Sequence, residues 1–278
     1  MDNGLSQNSV NCVIQDSSGF LWFGTNDGLN RYDGYDIITY RYNTQDSSSI
    51  SHNWIQSFCL DEYGQLWIGT RGGLNKWNDI SQTFERHGYE KGTQYTSYDN
   101  DILSMCRDPK NKDCIWLGTS NGLKCYNTKE LKYSHYANLI SDNKSAYNNS
   151  VRGLDVDNNG IVWFGTGSGF YKFDSKANTV KQILAEAVNA VRIDHTQNIW
   201  VGTVKAGLYS YEYHTSDLVE TRHIDQKSKF GLSHNGIWAI YEDRLHNLWI
   251  GTVGAGLNKI NAKRDGKIDI YTNDAYNP

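Results

Sequence analysis

Nothing among the 278 residues spells out a catalytic signature. There is no Gly-x-Ser-x-Gly elbow, no His-Glu-x-x-His pair and no Walker loop, so the familiar serine-hydrolase, zinc-peptidase and nucleotide-phosphatase readings fall away. No stretch of about 20 apolar residues is present, and no signal-type apolar segment follows Met1. The expectation is a chain with no membrane contact of its own. Lys and Arg number 27 against 31 Asp and Glu, a net charge of -4, and the positive residues form no run. That balance points away from nucleic acid and from anionic lipid as partners. The five cysteines are an odd count without a Cys-x-x-Cys pair. They are read as small core hydrophobes, Cys12, Cys59 and Cys106 in successive units and Cys114 and Cys125 in the third. No metal ligand and no cofactor is expected.

What the chain has instead is repetition. The stretch Gly19-Phe20-Leu21-Trp22-Phe23-Gly24-Thr25 returns as Trp67-Ile68-Gly69-Thr70, Trp116-Leu117-Gly118-Thr119, Trp163-Phe164-Gly165-Thr166, Trp200-Val201-Gly202-Thr203 and Trp249-Ile250-Gly251-Thr252. A period of about 40–50 residues fits one four-stranded blade of a β-propeller per unit. The fold class predicted is therefore all-β, a β-propeller with six repeat units over residues 5–44, 50–88, 98–137, 148–184, 185–224 and 232–272, in one domain spanning 1–278.

Each unit reads strand, turn, strand, turn, strand, turn, strand. The first strand is an apolar run such as Ser9 to Gln15, Ile102 to Arg107 or Gly236 to Glu242, expected to be buried on both faces. It ends in an Asp-x-x-Gly turn (Asp16 to Gly19, Asp61 to Gly64, Asp157 to Gly160), whose Asp and Gly suit an Asx-type turn better than a calcium loop. The Trp strand follows, then a glycine loop and a third strand alternating apolar and polar residues. A polar, Tyr-rich fourth strand closes the unit. Aligned on the turn aspartates, the first strands carry Cys12, Ser57, Ser104, Gly153, Ala190 and Ala239 in one small-residue column. Small side chains suit strands converging on an axis, which places this strand innermost, with the motif Trp in the packing between blades. The run Gly165 to Gly169 imitates part of a dinucleotide motif but lies between two strands and reads as a turn.

The unit Leu-Ser-x-Asn-x-Val … Asp-x-x-Gly-x-Leu-Trp-x-Gly-Thr-x-x-Gly-Leu, clearest over residues 5–33 and 232–260, resembles the two-component regulator propeller repeats. Over essentially the whole chain, that resemblance implies the periplasmic sensor region of a hybrid two-component system of glycan-degrading gut bacteria, binding an oligosaccharide or other carbohydrate-derived signal without turning it over. It implies no enzyme activity in this chain; kinase and DNA-binding modules, and a membrane anchor, would belong to a longer parent. The fifth unit departs from the pattern, with Glu186 where the others carry Asn8, Asn53, Asn100, Asn149 and Asn235. Gly4 to Asn8 matches Gly231 to Asn235, so both termini read as cut inside linkers of a longer array. Such a family typically builds seven-bladed rings. Six units are then either a tightened six-bladed ring or part of a seven-bladed one that forms a homodimer through its end faces.

Two loop classes share a face: the linkers entering the first strand and the glycine loops after the Trp strand. They supply the candidate ligand-binding residues Trp54, Trp238, His52, His234, Asp99, Asn148, Arg71, Asp27 and Lys205. Indole faces with amide, imidazole and guanidinium neighbours suit a sugar, which offers apolar C–H faces and a rim of hydroxyls. The aligned asparagines are read as turn residues. Two other functions stay open, a protein-interaction platform and a streptogramin-lyase-like propeller enzyme; the latter needs a His and carboxylate set holding a metal, and the aligned His column does not supply it from adjacent blades.

Overall fold

The computed structural model describes residues 4–88, 100–136, 146–214, 217–229 and 231–272. The protein is all-β, six four-stranded antiparallel sheets in which consecutive strands pair in order, the blades of a β-propeller. The helix among the described residues is one turn, Ala146–Asn149. The chain forms two compact units, Met1–Val151 and Arg152–Pro278.

In the first unit, blade 1 is built from Val10–Gln15, Leu21–Thr25, Gly28–Tyr32 and Ile37–Tyr40. Blade 2 comes next with Ile55–Leu60, Leu66–Thr70, Gly73–Asn78 and Thr83–His87, and blade 3 with Ile102–Arg107, Cys114–Thr119, Gly122–Asn127 and Lys132–Tyr136. In the second unit, blade 4 is Gly153–Val156, Val162–Thr166, Gly169–Asp174 and Thr179–Leu184. Blade 5 is Val188–Ile193, Ile199–Thr203, Leu208–His214 and Asp217–Ile224; blade 6 is Ile237–Glu242, Leu248–Thr252, Leu257–Ile260 and Ile268–Tyr271.

The turn aspartate and the motif tryptophan are one device. In every blade the indole N–H donates to the carboxylate of the turn Asp: Trp22 to Asp16, Trp67 to Asp61, Trp116 to Asp108, Trp163 to Asp157, Trp200 to Asp194 and Trp249 to Asp243, all at 2.7–3.0 Å. The second carboxylate oxygen accepts backbone N–H groups of its own turn, as Asp61 does from Tyr63 and Gln65. A buried indole N–H must find an acceptor, and here the acceptor is the residue that makes the turn. The carboxylates are thus spent on the turn, as expected, rather than held out for calcium.

The motif glycine has an equally local reason. Each small first-strand residue pairs with it across the strands: Cys12 with Gly24, Ser57 with Gly69, Ser104 with Gly118, Gly153 with Gly165, Ala190 with Gly202 and Ala239 with Gly251. In blades 1, 2, 4 and 5 the β-branched residue that opens the next blade's first strand lies over this pair. A Cβ on Gly24 would come within 2.8 Å of Ile55, on Gly69 within 2.7 Å of Ile102, on Gly165 within 2.2 Å of Val188 and on Gly202 within 2.5 Å of Ile237. The small column therefore answers first to the seat of the next blade, rather than to convergence on an axis.

A second repeated device ties each linker down. In blades 1, 2 and 6 the linker serine hydroxyl meets the motif threonine (Ser6 with Thr25, Ser51 with Thr70, Ser233 with Thr252) while its backbone N–H donates to a third-strand asparagine (Asn30, Asn75, Asn258). Those asparagines return a donor to the serine hydroxyl at 2.8 Å and are fully buried. Where the linker lacks the serine, the buried amide disappears with it: the equivalent third-strand positions hold Lys124, Tyr171 and Tyr209.

Two expectations change. The first strands are well covered in blades 2 and 5, but those of blades 1 and 6 are largely exposed, with Val13, Trp238 and Tyr241 in solvent. Cys114 and Cys125 form a disulfide with Cα atoms 6.1 Å apart. The two sit diagonally on paired strands of blade 3, Cys114 opposite Asn127 and Cys125 opposite Trp116, a proximity that sequence spacing alone does not reveal.

Candidate functional site

The linker column does a structural job first. Gln7 Oε1 accepts the Ser9 N–H, His52 Nδ1 that of Trp54, and His234 Nδ1 that of Gly236, each at 2.9 Å. With Nδ1 used as an acceptor, each imidazole is left with Nε2–H as a donor. The asparagines next in the chain link adjacent loops, as expected of turn residues. Asn53 takes the N–H of Gly28 on its carbonyl and that of Tyr42 on its side chain, and Asn235 does the same with Gly207 and Gln226.

In the first unit three candidates converge. The Arg71 guanidinium lies 3.9 Å above the centre of the Trp54 ring and 3.9 Å from the carboxylate of Asp101. Asp101 occupies in blade 3 the linker position that Trp54 occupies in blade 2. It accepts hydrogen bonds from Gln56 Nε2 and, at 2.6 Å, from the Ser120 hydroxyl. His52 stands beside this group; partial burial, with the Arg71 charge adding, pushes its pKa below the ordinary imidazole value against the opposing pull of Asp101. The result is a patch between the loops of blades 2 and 3 where indole, imidazole, guanidinium, carboxylate, amide and hydroxyl meet within one hydrogen-bonded set. Gln56, Asp101 and Ser120 are members of the patch that sequence reasoning misses. The signal for Asp101 is its alignment with Trp54.

The other candidates take other places in the fold. Asp27 is engaged by Arg41, whose guanidinium reaches its carboxylate at 3.2 Å. Asn148 is part of the short helical turn entering blade 4, and Lys205 is in the glycine loop of blade 5. Asp99 lies outside the described residues. Trp238 is 64% exposed, and its register explains why. The equivalent residues Asn11 and Asn189 donate to the backbone carbonyls of Ile55 and Ile237 at the start of the following blade; Trp238 thus belongs to a column that bridges blades.

Residues 4–27, 49–72 and 231–254 match the two-component regulator propeller family. These three units are two-component regulator propeller repeats. They are also the three that carry the serine–threonine–asparagine device, so the matched motif is the sequence image of that hydrogen-bond set. A 49-residue segment is 55% identical to Histidine kinase P4 of Formosa agariphila, 18% of this chain and 4% of that protein. Among solved structures, the extracellular domain of the putative hybrid two component system BT3049 from B. thetaiotaomicron superposes with a TM-score of 0.66 at 22% identity, over 94% of this chain and 41% of that one. The extracellular domain of BT4673 from the same organism gives 0.62 at 25%, over 92% and 38%. The chain thus spans about two fifths of those structures. Virginiamycin B lyase from Staphylococcus aureus shares the fold, with a TM-score of 0.69 at 12% identity over 97% of this chain and 86% of the lyase. The repeats and these neighbours make the chain a propeller related to extracellular domains of two-component sensors.

Proposed function

We propose that this propeller is the periplasmic ligand-sensing part of a hybrid two-component system and binds an oligosaccharide, without turning it over, at the His52–Trp54–Arg71–Asp101 patch. The observation that carries the reading is the stacked Arg71–Trp54 pair within that hydrogen-bonded set: a flat apolar surface edged by donors and acceptors is what a pyranose ring needs. The guanidinium side chain is half exposed, and its contact with Asp101 is long, so the ion pair itself contributes little and the N–H groups can turn to sugar hydroxyls. The Cys114–Cys125 disulfide supports an oxidising compartment. Calorimetric titration with a panel of polysaccharide-derived oligosaccharides tests the reading. Saturable binding that leaves the sugar intact and is weakened at least ~10-fold by Trp54→Ala supports it. Cleavage of the sugar, or no binding by any member of the panel, contradicts it.

A second reading, association with another copy of the chain, is favoured by the exposed Trp238, Tyr241, Val253, Ile270 and Tyr271 of blade 6. Large exposed apolar side chains gathered on one blade are what such a contact would cover. Sedimentation equilibrium of the chain and of Trp238→Asp tests it: the reading requires a dimer that the substitution dissociates.

A further inference from the structure

At the end of the blades away from the glycine loops, blades 5 and 6 bring together His195, Glu242 and His246, whose ligating atoms all lie within 4.8 Å of one another. We propose that these three residues form a binding site for a divalent transition metal of the zinc type. His195 Nδ1 is 2.6 Å from Glu242 Oε1 and His246 Nδ1 is 3.6 Å from the same oxygen. The donor atoms of a tetrahedral zinc site with bonds of ~2.0–2.1 Å stand ~3.3 Å apart, so the two observed separations bracket the required one. Two imidazoles and one carboxylate select Zn²⁺, Co²⁺ or Ni²⁺ over Ca²⁺ and Mg²⁺, which take oxygen ligands. Three protein ligands leave a coordination position open. The side chains of His195 and His246 are 38% and 49% exposed and that of Glu242 8%, which provides an entry path to a fixed carboxylate.

The same place in the first unit shows what an ordinary clasp between blades looks like. There Glu62, directly after its turn aspartate, pairs with Arg107 at 3.0 Å and Lys112 at 3.1 Å, a carboxylate between two permanent cations. In blades 5 and 6 the carboxylate has changed sides: Glu242 ends the first strand where Arg107 does, and beside the Arg264 guanidinium its partners are two imidazoles, which coordinate metals when neutral. A clasp alone does not account for His246. It occupies the turn position that is Gly19, Gly64 or Gly160 in blades 1, 2 and 4 and Gln197 in blade 5; His246 has φ of +62° and Gln197 +68°, a conformation costly for a residue with a Cβ. The His246 ring stacks on His195 with centroids 3.7 Å apart and planes 23° from parallel, so one imidazole must turn about its Cβ–Cγ bond for both in-plane lone pairs to meet a single ion. Arg264 holds this arrangement from outside. It donates to the His246 carbonyl at 2.9 Å, lies between Asp194 and Glu242 at 3.4 and 3.5 Å, and packs over Trp200. Glu242 Oε2 accepts the His195 backbone N–H at 2.9 Å, fixing the carboxylate plane. Ligands oriented by such outer partners are what a metal site requires.

Titrating Co²⁺ into the full chain and recording its visible d–d absorption tests the proposal, with Zn²⁺ as competitor. The expected result is one saturable equivalent displaced by Zn²⁺, with Glu242→Gln and His246→Gly each weakening apparent affinity by more than the ~10–100-fold that loss of an outer partner alone produces. His246→Gly is the decisive variant. Glycine suits the backbone there, so it should raise the melting temperature of the metal-free chain while removing the ligand. Absence of a saturable d–d spectrum, or an affinity of the folded His246→Gly chain within ~100-fold of the parent, would overturn the proposal.

Discussion

Blades 2 and 6 carry nearly the same words, Leu66-Trp-Ile-Gly-Thr70 and Leu248-Trp-Ile-Gly-Thr252, yet the first strand is buried at every position and the second at only two of five. Among the described residues the difference shows at the motif glycine. Over Gly69 sits Ile102 of blade 3, close enough that a Cβ would collide at 2.7 Å; over Gly251 a Cβ would meet nothing nearer than Ala239 of its own blade at 3.8 Å. The motif thus encodes two separate things. Trp, Asp, Ser, Thr and Asn build the blade itself, whereas Gly with the small residue opposite it builds a seat for a neighbour. Blade 2, with its seat filled, carries the Trp54–Arg71 patch; in blade 6 Trp238 and Tyr241 are exposed.

The largest effect that can break this comparison is removal of the motif indole. Trp67 is 2% exposed, and its truncation to Ala should lose ~3–5 kcal/mol through burial and cavity. Trp249→Ala should lose distinctly less, since blade 6 leaves its ring partly covered. Trp54→Ala, on a partly buried loop residue, should lose only ~1 kcal/mol. Thermal and urea melts of the three variants rank them, and equal losses would mean that core and loop tryptophans have been confused.

The glycines sharpen the same contrast. Gly69→Ala overpacks the joint with Ile102 and should cost ~1–3 kcal/mol, while Gly251→Ala should stay within ~0.5 kcal/mol. The buried asparagines provide the control. Asn75 and Asn258 make the same three-residue set and are equally buried, so replacing either by Ala strands the same serine and should cost the same ~1–3 kcal/mol in both blades. A loss confined to Asn75 would show that the device depends on the neighbour after all.

The smallest effect is acid sensitivity at the turn of blade 6. Partial burial opposes ionisation of Asp243, but hydrogen bonds from Asn247, Trp249 and the turn backbone outweigh it and bring its pKa down to about 2. A carboxylate lowered in the folded state stabilises the fold above its unfolded pKa and loses that contribution as pH falls through the folded one. Stability of the chain should therefore decline between about pH 4 and pH 2, and Asp243→Asn should flatten that part of the profile in pH-dependent melts.

Much of the fold was legible in sequence because the determinants are local. The turn aspartate lies six residues before its tryptophan in five blades and eight in blade 3, and repetition of the unit fixes strand order without any long-range inference. The glycine and its small partner were visible as columns, but their purpose was not, since the residue that needs the space belongs to the next unit. Contacts between blades were the harder part for the same reason. Asp101 meets Arg71, and His195 meets Glu242, only once the register between neighbouring blades is set, and no single repeat contains that information. The non-glycine residue at His246, in a position where glycine recurs, is matched by Gln197 in blade 5 and so does not by itself mark the second cluster. Cys114 and Cys125 looked like two more core residues because a diagonal pairing across strands leaves no trace in their spacing.

Amide hydrogen exchange measured segment by segment tests the central contrast most directly. The account predicts that Leu66–Thr70 exchanges only through global unfolding, whereas Leu248–Thr252, with the same sequence but less burial, exchanges at markedly lower free energy through local opening. Equal protection of the two segments in the monomeric chain would contradict it.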